Sequence, residues 1–166
     1  IHILPDILCN KIAAGEVVQR PASVVKELVE NSIDAESTRI EVTIKNGGRD
    51  LIQVIDDGVG LDKEELGLAL ERHATSKIAE IEDLFRIKTM GFRGEALPSI
   101  ASVAMLEVVS RAQGSEAAFA LEVQAGKSGD VQPIAWETGT RITVKNLFFN
   151  VPARLKFLKA KRTELN

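Results

Sequence analysis

Thr38 to Lys45 reads TRIEVTIK and Leu51 to Asp56 reads LIQVID, two runs in which β-branched residues alternate with polar ones, separated only by NGGRD. Side chains alternate across a strand, so each run carries an apolar face, and a connection this short joins them as an antiparallel hairpin. That face needs a cover, and helical patterns supply it. Pro21 opens PASVVKELVENSIDA where a first helical turn tolerates a missing N–H. LDKEELGLALERHA begins with Asp62 three residues before Glu65, a capping-box spacing. Further helices are expected over Ile7 to Val18, over Glu80 to Ile87, and in EALPSIASVA with Pro98 in the first turn. MLEVVSR, AAFALEVQA and RITVKNL read as three more strands, and VPARLKFLKAKR as a basic amphipathic helix. Strands pairing by hairpin and meander, with helices concentrated in the first two thirds, predict an α+β domain. The expected architecture is a two-layer sandwich, a mostly antiparallel or mixed sheet covered by helices on one face.

The chain has 166 residues, 45% of them hydrophobic, which suffices for one domain with its own core. A net charge of -3 excludes a chain that coats nucleic acid all over, though a local basic patch can still meet phosphates. Cys9 is the single cysteine, and with only His2 and His73 beside it no disulfide framework or Cys/His zinc site can form. No apolar run approaches the roughly 20 residues that span a bilayer, and IHILPDILCN lacks a signal-peptide pattern. A soluble protein of a reducing, intracellular compartment, with no membrane partner, is the expectation.

Several chemistries are excluded by motif. There is no G-x-x-x-x-G-K-[ST], and Lys63 stands where a dinucleotide fingerprint starting in DDGVG needs its third glycine. An EF-hand counted from Asp57 fails at Val59 and Leu61, and no G-x-S-x-G elbow exists.

What is present concentrates in four stretches. In KELVENSIDA, Glu27, Asn31 and Asp34 are spaced four and three apart and share one helix face. Taken alone, that stripe is better accounted for by a solvated helix face. Asp56 ends an apolar strand and enters DDGVG, so its carboxylate needs a donor such as an exocyclic amine, with Gly58 and Gly60 permitting close backbone approach; an ordinary Asp-Gly turn is the competing account. GFRGEA runs into a predicted helix whose N-terminal N–H groups suit phosphate, and Thr75-Ser76-Lys77 adds hydroxyls and an ammonium. With a nucleotide in place, Asn31 would offer Mg²⁺ a neutral oxygen and Glu27 would take a proton from attacking water.

IAAGEVVQRPASVVKELVENSIDA, DDGVG, RHATSK, GFRGEALPSI and NLFFNVPARLKFL together resemble, in order, the signature segments of MutL-type DNA mismatch repair proteins. The resemblance covers essentially the whole chain. It implies the GHKL ATPase fold, shared with gyrase B, the large heat-shock chaperones and sensor histidine kinases. By that resemblance 1–166 is the ATP-binding domain of a longer protein, followed by a transducer domain and a C-terminal dimerisation domain.

Carried over residue by residue, the resemblance makes Glu27 the general base and Asn31 the Mg²⁺ ligand, while Asp34 and Ala35 border the nucleotide. Asp56 contacts adenine with Gly60 in the base pocket and Thr140 beneath it. Thr75, Ser76 and Lys77 flank a lid, and Gly91, Phe92, Arg93, Gly94, Glu95, Ala96 and Leu97 bind phosphate. Asp57 departs from the asparagine frequent in the family and is expected to point away from the base. The family's lysine for the terminal phosphate comes from the following domain, so weak or absent turnover by this chain is expected.

The implied role is an ATP-driven switch in mismatch repair that closes two ATPase domains on each other, as a homodimer or a heterodimer with a paralogue. A MutS-type mismatch-recognition partner and DNA complete the expected partners. A bacterial cytoplasmic, nucleoid-associated protein is expected, or a nuclear one in a eukaryote. The rival from another class is a DNA-binding module acting through Arg154, Lys156, Lys159, Lys161 and Arg162, five basic residues within nine positions. Those residues fit a solvated surface helix equally well. A topoisomerase subunit or histidine kinase is disfavoured by N-x-P-A-R, and a kinase also by the lack of an upstream phospho-accepting histidine beyond His2.

Overall fold

The computed structural model describes residues 12, 14–71 and 95–160, the side chains of 159 and 160 excepted. Its elements run α1 (Pro21–Asp34), β1 (Ile40–Lys45), β2 (Leu51–Asp56), α2 (Lys63–Leu68), α3 (Ala96–Val103), β3 (Met105–Arg111), β4 (Ala118–Gln124), β5 (Lys127–Ser128), β6 (Gln132–Ile134), β7 (Gly139–Lys145) and α4 (Pro152–Ala160). The expected hairpin is there: β1 and β2 pair antiparallel from Ile40 opposite Asp56 to Lys45 opposite Leu51, across a 3₁₀ turn at Asn46–Gly48. The strand order is β1-β2-β7-β3-β4-β5, with β6 also on β4, and every pairing among the described residues is antiparallel. The parallel component that a mixed sheet would need is thus not seen among them.

The period-2 pattern decides which face is covered. Ile52, Val144, Leu106 and Val123 lie opposite one another in one row, and Val54, Ile142, Val108 and Leu121 in the next, all buried in one cluster with Leu28 of α1, Leu66 of α2 and Ile100 of α3. Directly opposed residues point to the same face, so the helices form a single layer on that face. Each such side chain, fully removed from water, contributes about 1.5–3 kcal/mol.

Local chemistry sets the helix ends. Asp62 accepts from the N–H groups of Glu64 and Glu65 while Glu65 Oε2 accepts from Asp62 N–H, the expected capping box. Pro98 falls at the third position of α3, where its missing N–H costs nothing. The two-residue β5 and three-residue β6 are additions that no alternation announces. Residues 14–17 are helical, whereas the helix expected at 80–87 lies outside the described residues.

Candidate nucleotide site

The buried side of α1 is Pro21, Val24, Leu28 and Ser32, an i, i+3, i+7, i+11 stripe whose last member is polar. A hydroxyl carried into the core at that point needs a partner, and it finds Asp56. Ser32 Oγ donates to Asp56 Oδ2 at 2.8 Å; its other contact, to the Leu28 carbonyl, is longer at 3.2 Å. The hydroxyl has one proton, and the shorter path to a charged acceptor holds it. Gly58 N–H donates to Asp56 Oδ1 at 3.0 Å. Asp56 is only 8% exposed, and a carboxylate offers about four acceptor positions. Two are filled by these donors, so a buried acceptor with unused capacity faces the end of α1.

Beside it on the sheet stands Thr140, register partner of Asp56 on one side and of Ser110 on the other. Ser110 Oγ lies 2.8 Å from Thr140 Oγ1, accepts the Leu61 N–H at 2.8 Å and contacts the Gly139 carbonyl at 3.1 Å. With Thr140 donating to Ser110 and Ser110 to Gly139, the Ser110 hydroxyl is fully satisfied, and Thr140 Oγ1 keeps its lone pairs for another donor. Asp56, Ser32, Thr140 and Ser110 are all buried. The four form a buried polar cluster built where the core would otherwise be apolar.

The backbone around the floor is held by close approaches. Gly60 has φ +68°, and a Cβ there would meet the Arg111 carbonyl oxygen; Gly139 has φ +118°, and a Cβ there would meet the Asp56 carbonyl. The space that Gly60 leaves is thus filled by the chain's own β3 end, which locks DDGVG to the sheet. The same loop is tied to the end of α1, where Val59 N–H donates to the Ala35 carbonyl at 3.0 Å and Ala35 N–H to that of Asn31 at 3.0 Å. Asp57 points away from this floor: its oxygens accept the Thr38 and Arg39 N–H groups at 2.8 Å and the Thr38 hydroxyl at 2.6 Å. The Thr38 hydroxyl first, then the Arg39 N–H, holds the Asp57 carboxyl below the usual carboxylate range.

Glu27, Asn31 and Asp34 lie half-buried next to the buried stripe of α1, and Ala35 caps the same helix. Lys26 is drawn to Glu30 at 3.0 Å, which raises its pKa, and stays 3.8 Å from Glu27. The carboxylate of Glu27 thus has no tight ion pair among the described residues. Of the expected phosphate loop, Glu95 caps α3 while Ala96 and Leu97 form its first turn, with Leu97 against the core. Gly91, Phe92, Arg93 and Gly94 lie outside the described residues, as do Thr75, Ser76 and Lys77.

In α4, Arg154 is turned inward: its Nη1 donates to the Val18 carbonyl at 2.8 Å and its guanidinium sits 5.5 Å from the Phe148 ring centre. Lys156 is exposed, the side chain of Lys159 is not described, and Lys161 and Arg162 lie outside the described residues. The helix is less amphipathic than its sequence suggests, because Leu155 and Leu158 meet the core while Phe157 is 56% exposed.

Ser32 and Ser110 are the site residues that motif reasoning passes over. The signal for Ser32 was available, as a serine continuing an apolar stripe at helical spacing. Ser110 sits in VVSR with no such mark, and only strand register brings it to Thr140.

The family model for histidine kinase-, DNA gyrase B- and HSP90-like ATPases matches residues 19–147, which include α1, the whole polar cluster around Asp56 and β7. The chain belongs to this ATPase family. Within it, the homology is to MutL: the chain is 57% identical over 164 residues to the DNA mismatch repair protein MutL of Parabacteroides distasonis, covering 99% of this chain and 27% of that protein. To MutL of Rhodospirillum rubrum it is 59% identical, again over 99% of the chain and 26% of the relative. The chain thus spans about a quarter of the length of the curated relatives it matches.

Among solved structures, the Aquifex aeolicus MutL ATPase domain complexed with ADP superposes with a TM-score of 0.63 at 35% identity, over 85% of this chain and 48% of that one. A crystal structure of the N terminal domain of a DNA repair protein gives 0.78 at 35% identity, over 96% and 46%. The expected GHKL architecture is therefore present. No helix among the described residues is long and apolar enough to cross a membrane.

Proposed function

We propose that this MutL-type ATPase domain binds ATP over the Asp56 floor and hydrolyses it to ADP and phosphate, serving in the longer protein as the nucleotide switch of mismatch repair. The observation that carries the reading is the buried Asp56 carboxylate, held by Ser32 and Gly58 with acceptor positions unused and Thr140 alongside. An adenine amino group supplies the missing donor, and it is a group that guanine lacks at that ring position. Discrimination follows because the wrong base leaves a buried charge underpaired.

The end of α1 lies at this floor, so Asn31 and Glu27 follow it along the helix toward where phosphates would extend. Among the described residues no group of three His, Cys, Asp or Glu could hold a metal by itself. The side-chain carbonyl oxygen of Asn31, one turn along α1 from the Glu27 carboxylate, fits Mg²⁺, which takes few protein ligands and completes its shell with phosphate oxygens and water; when bound it neutralises phosphate charge. Asn31 would be the protein's ligand to it, Glu27 would accept the proton of the attacking water, and the first turn of α3 would direct N–H groups at phosphate.

In the full-length protein, the reading extends to ATP-gated pairing of two such domains, as homodimer or with a paralogue, to DNA, and to signalling from a MutS-type partner in the bacterial cytoplasm at the nucleoid. The test is Mg²⁺-ATP binding by calorimetry. The expected result is binding by the parent chain, lost adenine-over-guanine preference in Asp56→Asn and lost Mg²⁺ dependence in Asn31→Ala. Undiminished preference in Asp56→Asn would remove the basis of the proposal. Of the DNA-module reading, Arg154 is already engaged within the protein, and a salt slope unaltered by Lys156→Glu would leave that reading without its exposed contact.

A further inference from the structure

α1 begins without a local cap. Arg20 at its N-cap makes no side-chain capping bond and its first turn holds no acidic residue, whereas α2 starts in a full capping box. The entry of α1 is fixed from the far end of the chain instead: Arg154 Nη1 donates at 2.8 Å to the carbonyl of Val18, three residues before Pro21. Val18 also closes the helical turn at 14–17, its N–H donating to the Ala14 carbonyl at 2.7 Å, so Arg154 caps that turn from outside. The Phe148 ring lies under the guanidinium, and Gly15 leaves room beside it, since a Cβ there would meet Arg154 Nη2.

The same N-x-P-A-R segment holds α3. That helix runs through extended Ala104 directly into β3, so its last carbonyls need donors from elsewhere. Phe148 N–H donates to the Val103 carbonyl at 2.7 Å, Asn150 Nδ2 to that of Ser102 at 2.9 Å, and Gly126 N–H to that of Ala101 at 2.9 Å. Phe148 stands at φ +65° while fully buried, a conformation costly for a bulky side chain and kept only where surrounding contacts impose it.

Residues 148–154 thus tie the entry of α1 to the end of α3. The second support of α1 is the Ser32–Asp56 bond, and Glu27 and Asn31 lie between the two supports. Freed from Arg154, the helix keeps its joint at Asp56 and swings about it, which moves Glu27 and Asn31 but leaves the Asp56 cluster in place. We propose that Arg154 and Asn150 are positioning residues for the nucleotide reaction, setting α1 against α3 and so the alignment of the protein with Mg²⁺ and phosphate. This rests on the ATP reading above and extends it to a segment that the sequence offers as a DNA contact.

The test is binding of adenosine and of Mg²⁺-ATP to the 166-residue chain by calorimetry, with a thermal melt of every variant. Adenosine reads the Asp56 cluster alone, and the ratio of the two affinities reads how metal and phosphate are met. Arg154→Ala is expected to weaken Mg²⁺-ATP about tenfold and adenosine by less than about twofold. It should also speed amide exchange at Val18 about tenfold. Asn150→Ala should move the ratio in the same direction. Gly15→Ala should weaken Mg²⁺-ATP in the parent yet add nothing in Arg154→Ala, because the group it displaces is already gone. Should Arg154→Ala fail to fold, Arg154→Lys and Gly15→Ala carry the same comparison. Equal losses of adenosine and Mg²⁺-ATP, an unchanged Mg²⁺-ATP affinity, or a Gly15→Ala effect that persists in Arg154→Ala would each overturn the proposal and leave the ATP reading standing. A parent chain that binds no Mg²⁺-ATP would overturn both.

Discussion

Replacing Ser32 by alanine removes one oxygen from the floor of the site, and the structure fixes what that costs. The hydroxyl donates at 2.8 Å to Asp56 Oδ2, and both residues are buried, at 3% and 8% exposure. Losing a hydrogen bond to a charged, buried acceptor costs about 1.5–3 kcal/mol. Alanine gives back about 0.5 kcal/mol of helix propensity. The net is a loss of about 1–2.5 kcal/mol, or roughly 2–10 °C in Tm for a domain of this size. The Leu28 carbonyl loses little, as it sits in the helix ladder.

Ser102→Ala is the control: that hydroxyl is also buried in a helix but donates to a neutral acceptor, the Ser99 carbonyl, at 2.7 Å. Its expected cost is about 0–1 kcal/mol once the propensity gain is counted. Thermal melts of both variants, with ATP titrated by calorimetry, separate the cases. Ser32→Ala should also weaken ATP about tenfold, because the carboxylate it orients is left to turn. A Ser32→Ala no less stable than Ser102→Ala, with parental ATP affinity, would refute the claim that Ser32 holds Asp56.

Glu27→Gln is expected to keep ATP binding and the parental Tm while lowering any measurable turnover about 10²–10⁴-fold, read by phosphate release. Gly139→Ala places a Cβ against the Asp56 carbonyl at φ +118° and should cost roughly 3 kcal/mol or more, seen as a lower urea midpoint together with lost nucleotide binding. Asp57 has a lowered pKa, so its contribution is fully present above the ordinary carboxylate value near ~3.9 and is lost as pH falls through the lowered one. Urea midpoints measured from pH 5 downward should therefore drop less steeply in Asp57→Asn than in the parent.

The sequence by itself determined the hairpin, the α1 stripe and the capping box, because each rests on periodicity or on contacts within four residues. Alternation fixes which face of TRIEVTIK and LIQVID is apolar, and Asp62 finds Glu65 without help from the fold. The family motifs added the positions of Asp56, Asn31 and Glu27. What decided the rest was strand order and register. β7 lies between β2 and β3, and that placement alone sets Thr140 beside Asp56 on one side and Ser110 on the other, residues 84 and 54 positions from Asp56 in sequence. The same holds for Arg154, a cation that sequence counts among surface charges and that packing turns onto Val18 and Phe148. A local pattern specifies which face of an element is apolar; only the assembled sheet specifies which buried polar groups meet across it, since that depends on contacts between segments with no sequence proximity to record them.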